Sequence, residues 1–213
     1  MINILDKTNS AANHFLFEMR DKDIQIDRGK FRNNLKRLGA IMAYEISKSL
    51  EYQPKEVTTP LGRTNVNLVS DQPVIIGILR AALPFHEGFM SIFDQADGGF
   101  VGAYREETGE ISVNLDYLAV PSITNRTVII VDPMLATGKS LKKTIEKILK
   151  KGKPKHIHIA SLVAAPEGID YISQSLKSNH TIWVYSLDSN LDENAYIVPG
   201  LGDAGDLSFG EKK

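Results

Sequence analysis

Residues 127–151 run a buried strand into a helix through a short polar turn, and that junction restricts the folds open to this chain. Thr127 to Val131 (TVIIV) is β-branched throughout, as suits a central parallel strand covered on both faces. After Ser140 the period changes. Leu141, Ile145, Ile148 and Leu149 recur at helical spacing among lysines and Glu146, until Gly152 and Pro154 stop the helix. The amides of Thr137, Gly138, Lys139 and Ser140 are then expected to be first-turn donors without helical partners, aimed at an anion by geometry and by the helix dipole. A phosphate is the expected ligand.

The same alternation extends from Pro73 onward. It predicts strands at Val74 to Leu79, Phe100 to Tyr104, His156 to Ala164 and Thr181 to Leu187, with helices at Pro84 to Asp94, Ser140 to Lys151 and Pro166 to Lys177. Strands separated by helices of this length form right-handed crossovers, so the expected fold is α/β: a mainly parallel central sheet with helices on both faces. Upstream, Phe31, Leu35, Leu38, Met42, Ile46 and Leu50 share one face of a helix predicted over Phe31 to Tyr52. Thr58 to Val69 is polar and β-prone around a Gly-Arg turn and predicts a hairpin arm (58–69). An arm that buries little in its own subunit packs on another, so a homodimer or higher homo-oligomer is expected. Between Glu106 and Val120, Ile111, Val113, Leu115 and Tyr117 alternate with polar residues, which predicts a strand pair or flexible flap.

Several familiar chemistries are excluded on spacing. A P-loop ending in Gly138-Lys139-Ser140 needs a Gly where Pro133 stands. Gly200, Gly202 and Gly205 spell a dinucleotide fingerprint, but no acid about 20 residues further on can follow when the chain ends at Lys213. His156 and His158 share a strand face at metal-like spacing without a third ligand nearby, so packing is the expected role. The formal charge of −1 offers no global field for nucleic acid, and the absence of cysteine removes disulfides and thiolate chemistry. No apolar run approaches the roughly 18 residues of a membrane span, and the opening MINILDKTNS is unlike a signal peptide, so the cytoplasm is expected. Two positive indications remain. Asp132 sits at the carboxyl end of a buried strand, where open α/β sheets bind ligands. Arg80 ends another such strand and offers a bidentate donor suited to pyrophosphate, with a purely structural arginine as the alternative.

At Asp132 to Gly138, reading DPMLATG, the chain resembles the uracil branch of the type I phosphoribosyltransferases. The resemblance continues through Met19-Arg20-Asp21, Ile78 to Ala81, Tyr104-Arg105, Leu162 to Ile169 and Tyr196 to Asp206, and so covers nearly the whole chain in order. It implies transfer of the phosphoribosyl group of phosphoribosyl pyrophosphate (PRPP) to N1 of uracil, giving UMP and pyrophosphate, with Mg²⁺ held mainly through PRPP and water and by Asp203. It further implies that Asp132, Pro133, Met134, Leu135, Ala136, Thr137, Gly138, Lys139 and Ser140 bind PRPP together with Arg80, Arg105 and Asp203. Catalytic roles fall to Arg80, Arg105, Asp132 and Asp203.

Arg105 begins a mobile hood in that family (here about 105–120), and a surface pair with Glu106 or Glu107 is the alternative for it. The C-terminal loop (194–210) is implied to read uracil through backbone groups of Ile197, Gly202 and Ala204, beside Asp203. Cytosine would then present a donor to a buried donor, a strongly unfavourable match. Asp206 is expected to shape a turn. The chain departs from the family at Ala82 and Lys139, where Gly is usual. Ala82 raises an expectation of backbone strain in the pyrophosphate loop, while Lys139 either touches the phosphate or points to solvent. No His falls in the matched segments, so no general base is assigned. Nucleotide activation by GTP occurs in the family, and no motif here specifies it. The competing class, a regulator that binds RNA on the same fold, needs a basic surface that the net charge does not favour.

Overall fold

The computed structural model describes residues 1–105 and 113–211, with backbone alone at 103–105 and 113–116. The chain begins with β1 (Ile2–Ile4), α1 (Ala12–Arg20) and α2 (Arg28–Ser47), then the hairpin β2 (Tyr52–Thr59) and β3 (Gly62–Val69). The alternating part follows as β4 (Val74–Leu79), α3 (Ala82–Met90), β5 (Asp97–Arg105), β6 (Val113–Ala119), β7 (Thr127–Val131), β8 (Met134–Leu135) and α4 (Lys139–Leu149). It continues through β9 (His156–Ala164), α5 (Pro166–Ser175) and β10 (His180–Leu187), and closes with β11 (Asn190–Leu191), β12 (Ile197–Val198) and α6 (Ala204–Phe209).

The main sheet has the order β1-β10-β9-β7-β4-β5-β6, with β8 also paired to β9. Among the described strands of this sheet only the β5–β6 pairing is antiparallel. The expected α/β architecture is therefore present. Because side chains alternate across a strand, Ile129 and Val131 of β7 join Ile75, Trp183 and Tyr185 beneath α1, α2 and α3. Val128 and Ile130 join Ile76, Ile159 and Val184 beneath α4 and α5. Both strand faces are covered, which is why TVIIV needs no polar break. The chain leaves β4 for β5 on one side of the sheet and returns through β7 on the other. The carboxyl ends of β4 and β7 therefore flank the switch point, where such sheets open a crevice.

Several boundaries differ from the sequence expectation; α3, for one, runs Ala82–Met90 rather than Pro84 to Asp94. The long helix spans Arg28–Ser47, starting where the Asp27 carboxylate accepts the Lys30 amide at 3.0 Å. It stops early because the hydroxyls of Ser47 and Ser49 donate to the carbonyls of Tyr44 and Ile46, both at 2.7 Å, and compete for the last turn. Leu50 keeps the helical phase and still packs on the core, so periodicity alone ran past the end. The hairpin consequently starts at Tyr52 rather than Thr58, with Tyr52 opposite Val69 and Thr59 opposite Gly62. Ala82 lies inside α3 without a positive φ, so the strain expected at Ala82 is not there. β1, α1 and α6 were not anticipated. They are short or weakly patterned, and their apolar residues gain meaning only against the sheet.

In the flap region β5 and β6 pair from Phe100 opposite Ala119 to Arg105 opposite Val113, with an irregularity between Gly102 and Tyr104. The centre of the expected hood, 106–112, lies outside the described residues. The buried His158 accepts the Trp183 indole N–H at 3.0 Å, and burial, reinforced by His156, pushes its pKa down to about 3. His86 is likewise held below the ordinary value, chiefly by burial, with a ring nitrogen 3.2 Å from the Ile75 carbonyl. Both rings are neutral packing groups near pH 7. Among the described residues no helix is long and apolar enough to cross a membrane.

Candidate active site

The switch point opens into a cleft walled by three segments far apart in sequence: Ile78 to Ala81, Asp132 to Leu141, and Ala195 to Gly205. The middle segment carries the most backbone organisation. Past β7 the Asp132 carboxylate accepts the Met134 amide at 3.3 Å, forming a local turn. The Pro133 carbonyl accepts the amides of Leu162 (2.9 Å) and Val163 (3.1 Å), and the Leu135 carbonyl accepts that of Ala165 (3.0 Å). The loop thus rides along β9 before it turns into α4. Gly138 makes that turn at φ 73° and caps the helix, a conformation in which a Cβ is costly. Because the helix starts at Lys139, the first-turn donors are the amides of Lys139, which also donates to Thr137 Oγ1 at 3.4 Å, Ser140 and Leu141, a set that begins two residues later than the sequence suggested.

Residues packed behind the loop are tight. A Cβ on Gly168, in the first turn of α5, would lie 2.1 Å from the Ala136 carbonyl oxygen and 3.0 Å from that of Leu135. Ala136, Thr137, Gly138 and Ser140 face the cleft, whereas Pro133 is buried behind it and acts through its carbonyl. Lys139 is exposed and its side chain is not part of the cleft wall. Of the two alternatives left open for Lys139, the geometry matches the solvent-facing one.

Arg80 reaches the same cleft from the end of β4. One terminal nitrogen of its guanidinium donates to Asp206 and to the Gly210 carbonyl, both at 3.2 Å. Asp203 caps α6 instead: its Oδ1 accepts the amides of Gly205 (2.8 Å) and Asp206 (2.9 Å). The turn-shaping duty expected of Asp206 therefore falls to Asp203, and Asp206 holds the arginine. The reason is helix phase: the residue just before a helix sees its open amides, while one three positions later points sideways.

Gly202 (φ 89°), Asp203 and Ala204 line the cleft, whereas Ile197 is buried in the core with its strand paired to β11. Two further wall residues, Ala195 and Tyr196, lie in the 194–210 loop marked from the sequence but were not singled out there. Ala195 is left-handed at φ 61°, an uncommon state for a residue with a Cβ, in a turn organised by the Asp192 carboxylate, which accepts the amides of Asn194 and Tyr196. The signal that could have found the pair is an aromatic at the mouth of a Gly-rich loop, and Tyr196 is indeed half exposed. Arg105 ends β5, and its side chain is not described.

For a divalent cation the described residues of the cleft wall offer two carboxylates, Asp132 and Asp203, from two separate segments. One oxygen of Asp203 is committed to the α6 cap. Such hard but sparse oxygen donors fit Mg²⁺, which keeps several waters and takes further ligands from substrate phosphates.

Comparison with known proteins shows the family. A family model described as uracil phosphoribosyltransferase matches residues 7–211. The uracil phosphoribosyltransferase of Porphyromonas gingivalis is 49% identical over 210 residues, covering 98% of this chain and 97% of that protein. That of Pyrococcus furiosus is 43% identical over 199 residues, covering 92% and 84% respectively. Among solved structures, the AQ2163 protein from Aquifex aeolicus superposes with a TM-score of 0.90 at 34% identity, over 99% of this chain and 98% of that one. A hypoxanthine-guanine phosphoribosyltransferase from Bacillus anthracis, at TM-score 0.51 and 18% identity over 74% and 79%, shares the fold.

Proposed function

The chain belongs to the uracil phosphoribosyltransferase family, and from that premise we propose how its cleft divides the work of forming UMP and pyrophosphate from uracil and PRPP. The carrying observation is that β4, β7 and the C-terminal loop bring an arginine, a carboxylate beside a helix N-terminus, and a glycine-rich backbone to one cavity.

The 5′-phosphate of PRPP binds at the amides of Lys139, Ser140 and Leu141 with the Thr137 and Ser140 hydroxyls, where helix-end donors converge on an anion. Met134, Leu135 and Ala136 shape the floor, and the Pro133 carbonyl moors it to β9. Anchoring there, away from the bond that breaks, lets binding energy orient the sugar. Asp132 holds the ribose hydroxyls and places C1′ toward the base. As the C1′–O bond lengthens, the ribose becomes oxocarbenium-like and negative charge builds on pyrophosphate. Arg80 meets that charge, with Arg105 closing from the hood, as groups positioned before the reaction. Asp206 and Gly210 occupy one nitrogen of Arg80, and the rest of the fork faces the leaving group. Asp132 and Asp203 would hold Mg²⁺ together with substrate oxygens, and the ion would there supply charge neutralisation of the pyrophosphate.

The base sits against Gly202 and Ala204, with Ile197 supporting the loop from the core and Tyr196 at the mouth. Backbone groups present a fixed donor and acceptor pattern to O2, N3 and O4 of uracil. A base with an amine at position 4 faces a donor with a donor. We expect pyrophosphate release from PRPP and Mg²⁺ to be at least about 100-fold faster with uracil than with cytosine, orotate, hypoxanthine or xanthine. Comparable rates with cytosine would remove the backbone-reading role of this loop.

The hairpin supplies the oligomer. It is exposed from Tyr52 to Leu68, and Val57, Val66 and Leu68 share one face because Thr64, the residue opposite Val57, lies on the Val66 and Leu68 side of β3. A two-stranded ribbon is marginal alone, so a second copy of the chain covers this face. Val66→Lys with Leu68→Lys should convert a dimer or larger species to monomer in light scattering behind size exclusion. A monomeric parent protein, or an undisturbed assembly in the variant, would refute this.

A further inference from the structure

The loop that meets the base has no strand or helix between Val198 and Ala204, so something outside the cleft must hold it. Asp188, just past β10, is the centre of that support. Its own amide donates to the Ala164 carbonyl at 2.8 Å, fixing it to β9. Its carboxylate is nearly buried, with the side chain 4% exposed, and accepts both arms of Arg20 at 2.6 and 3.0 Å. The Oδ2 that takes one arm also accepts the Gly200 amide at 2.8 Å, and the same arm of Arg20 donates to the Gly200 carbonyl at 3.2 Å. Both polar groups of one peptide residue are thus gripped by one ion pair.

One residue further on, the Gln25 side-chain amide lies 2.7 Å from the Leu201 carbonyl and 3.1 Å from that of Met19. Two carbonyls require its NH₂ end. Gly202, which lines the cleft, is the next residue. None of Arg20, Gln25 and Asp188 lines the cleft itself.

We propose that Arg20, Asp188 and Gln25 are positioning residues for the base: together they lock Gly200 and Leu201, and so set where the backbone of Gly202 to Ala204 meets uracil. The inference rests on the reading of that loop as the base site. Its physical basis is geometric. A buried ion pair is weak evidence for stability, since desolvation offsets much of the attraction, but a guanidinium fork shared between a carboxylate and a carbonyl fixes direction in a way a point charge does not. A merely structural pair would tie α1 to the sheet and leave substrate affinities alone.

The test is steady-state kinetics of the full-length protein with uracil and PRPP varied in turn, on Arg20→Lys, Gln25→Met and Gly202→Val, with thermal unfolding in parallel. Arg20→Lys keeps the charge and loses the fork, and Gln25→Met removes the amide at similar volume. Expected are an increase in KM for uracil of about tenfold for Arg20→Lys and about threefold for Gln25→Met, with KM for PRPP and kcat within about twofold. Should Arg20→Lys fail to fold, Gln25→Met carries the test alone. A lowered Tm with both KM values unchanged, or a parallel rise of both, overturns the clamp. Gly202→Val separates the two levels of the argument. If it leaves uracil KM unchanged the base-site reading fails, and the clamp with it; if it raises uracil KM while the other two variants do not, the clamp alone fails.

Discussion

Asp132→Asn should lower kcat/KM for PRPP by about 10² to 10³-fold while leaving the thermal midpoint within a few degrees. The side chain stands at the carboxyl end of β7, in the crevice wall, and its contact with the Met134 amide needs only an acceptor, which the Asn carbonyl retains. The turn therefore survives. What disappears is the negative charge and the second acceptor. Hydrogen bonds to a charged group contribute roughly 1.5–3 kcal/mol each, and two ribose hydroxyls held this way, beside a sugar that gains positive charge at C1′, account for a loss of this size. Initial rates at varied PRPP together with an unfolding scan decide it. A change of less than about twofold would mean that the ribose is held elsewhere.

Gly168→Ala carries the second large effect, from a residue that no substrate touches. The added methyl would stand 2.1 Å from the Ala136 carbonyl oxygen, and its neighbour is backbone rather than the free end of a side chain, so either α5 or the phosphate loop must move. The loop is the softer of the two. α5 is seated by buried Ile169 and Ile172, whereas residues 136–138 belong to no strand or helix. Gly138 itself packs on α5, since a Cβ there would lie 3.0 Å from the Gly168 carbonyl. The first-turn amides follow any displacement. We expect KM for PRPP to rise on the order of 10²-fold, because misplacement of about 1 Å has that scale. Uracil KM should change little, and overpacking should lower stability by about 1–3 kcal/mol. An unshifted PRPP KM in a folded variant would show that α5 does not set the loop.

These cases show where sequence reading succeeds and where it stops. The β7 to α4 junction was legible because its information is local: the strand's β-branching, the left-handed Gly138 and the apolar stripe of α4 all act within 25 residues. The start of β2 was not, since Leu50 obeys the helical period and only the serine hydroxyls at the end of α2 reveal the stop. Asp203 and Asp206 were named together, but which one caps and which one holds Arg80 depends on where α6 begins.

By itself the amino-acid order determined the layered α/β class, the strand that delivers Asp132 and the helix that opens just after it. Periodicity and turn chemistry are short-range properties and survive projection onto one dimension. Only the folded chain decided that Arg20 grips Gly200 from 180 positions away, that Gly168 must lack a side chain to clear Ala136, and that Arg80 rests on Asp206. Such contacts follow from the switch in strand order between β4 and β7, which sets remote segments side by side, and no spacing along the chain encodes a distance across a cleft.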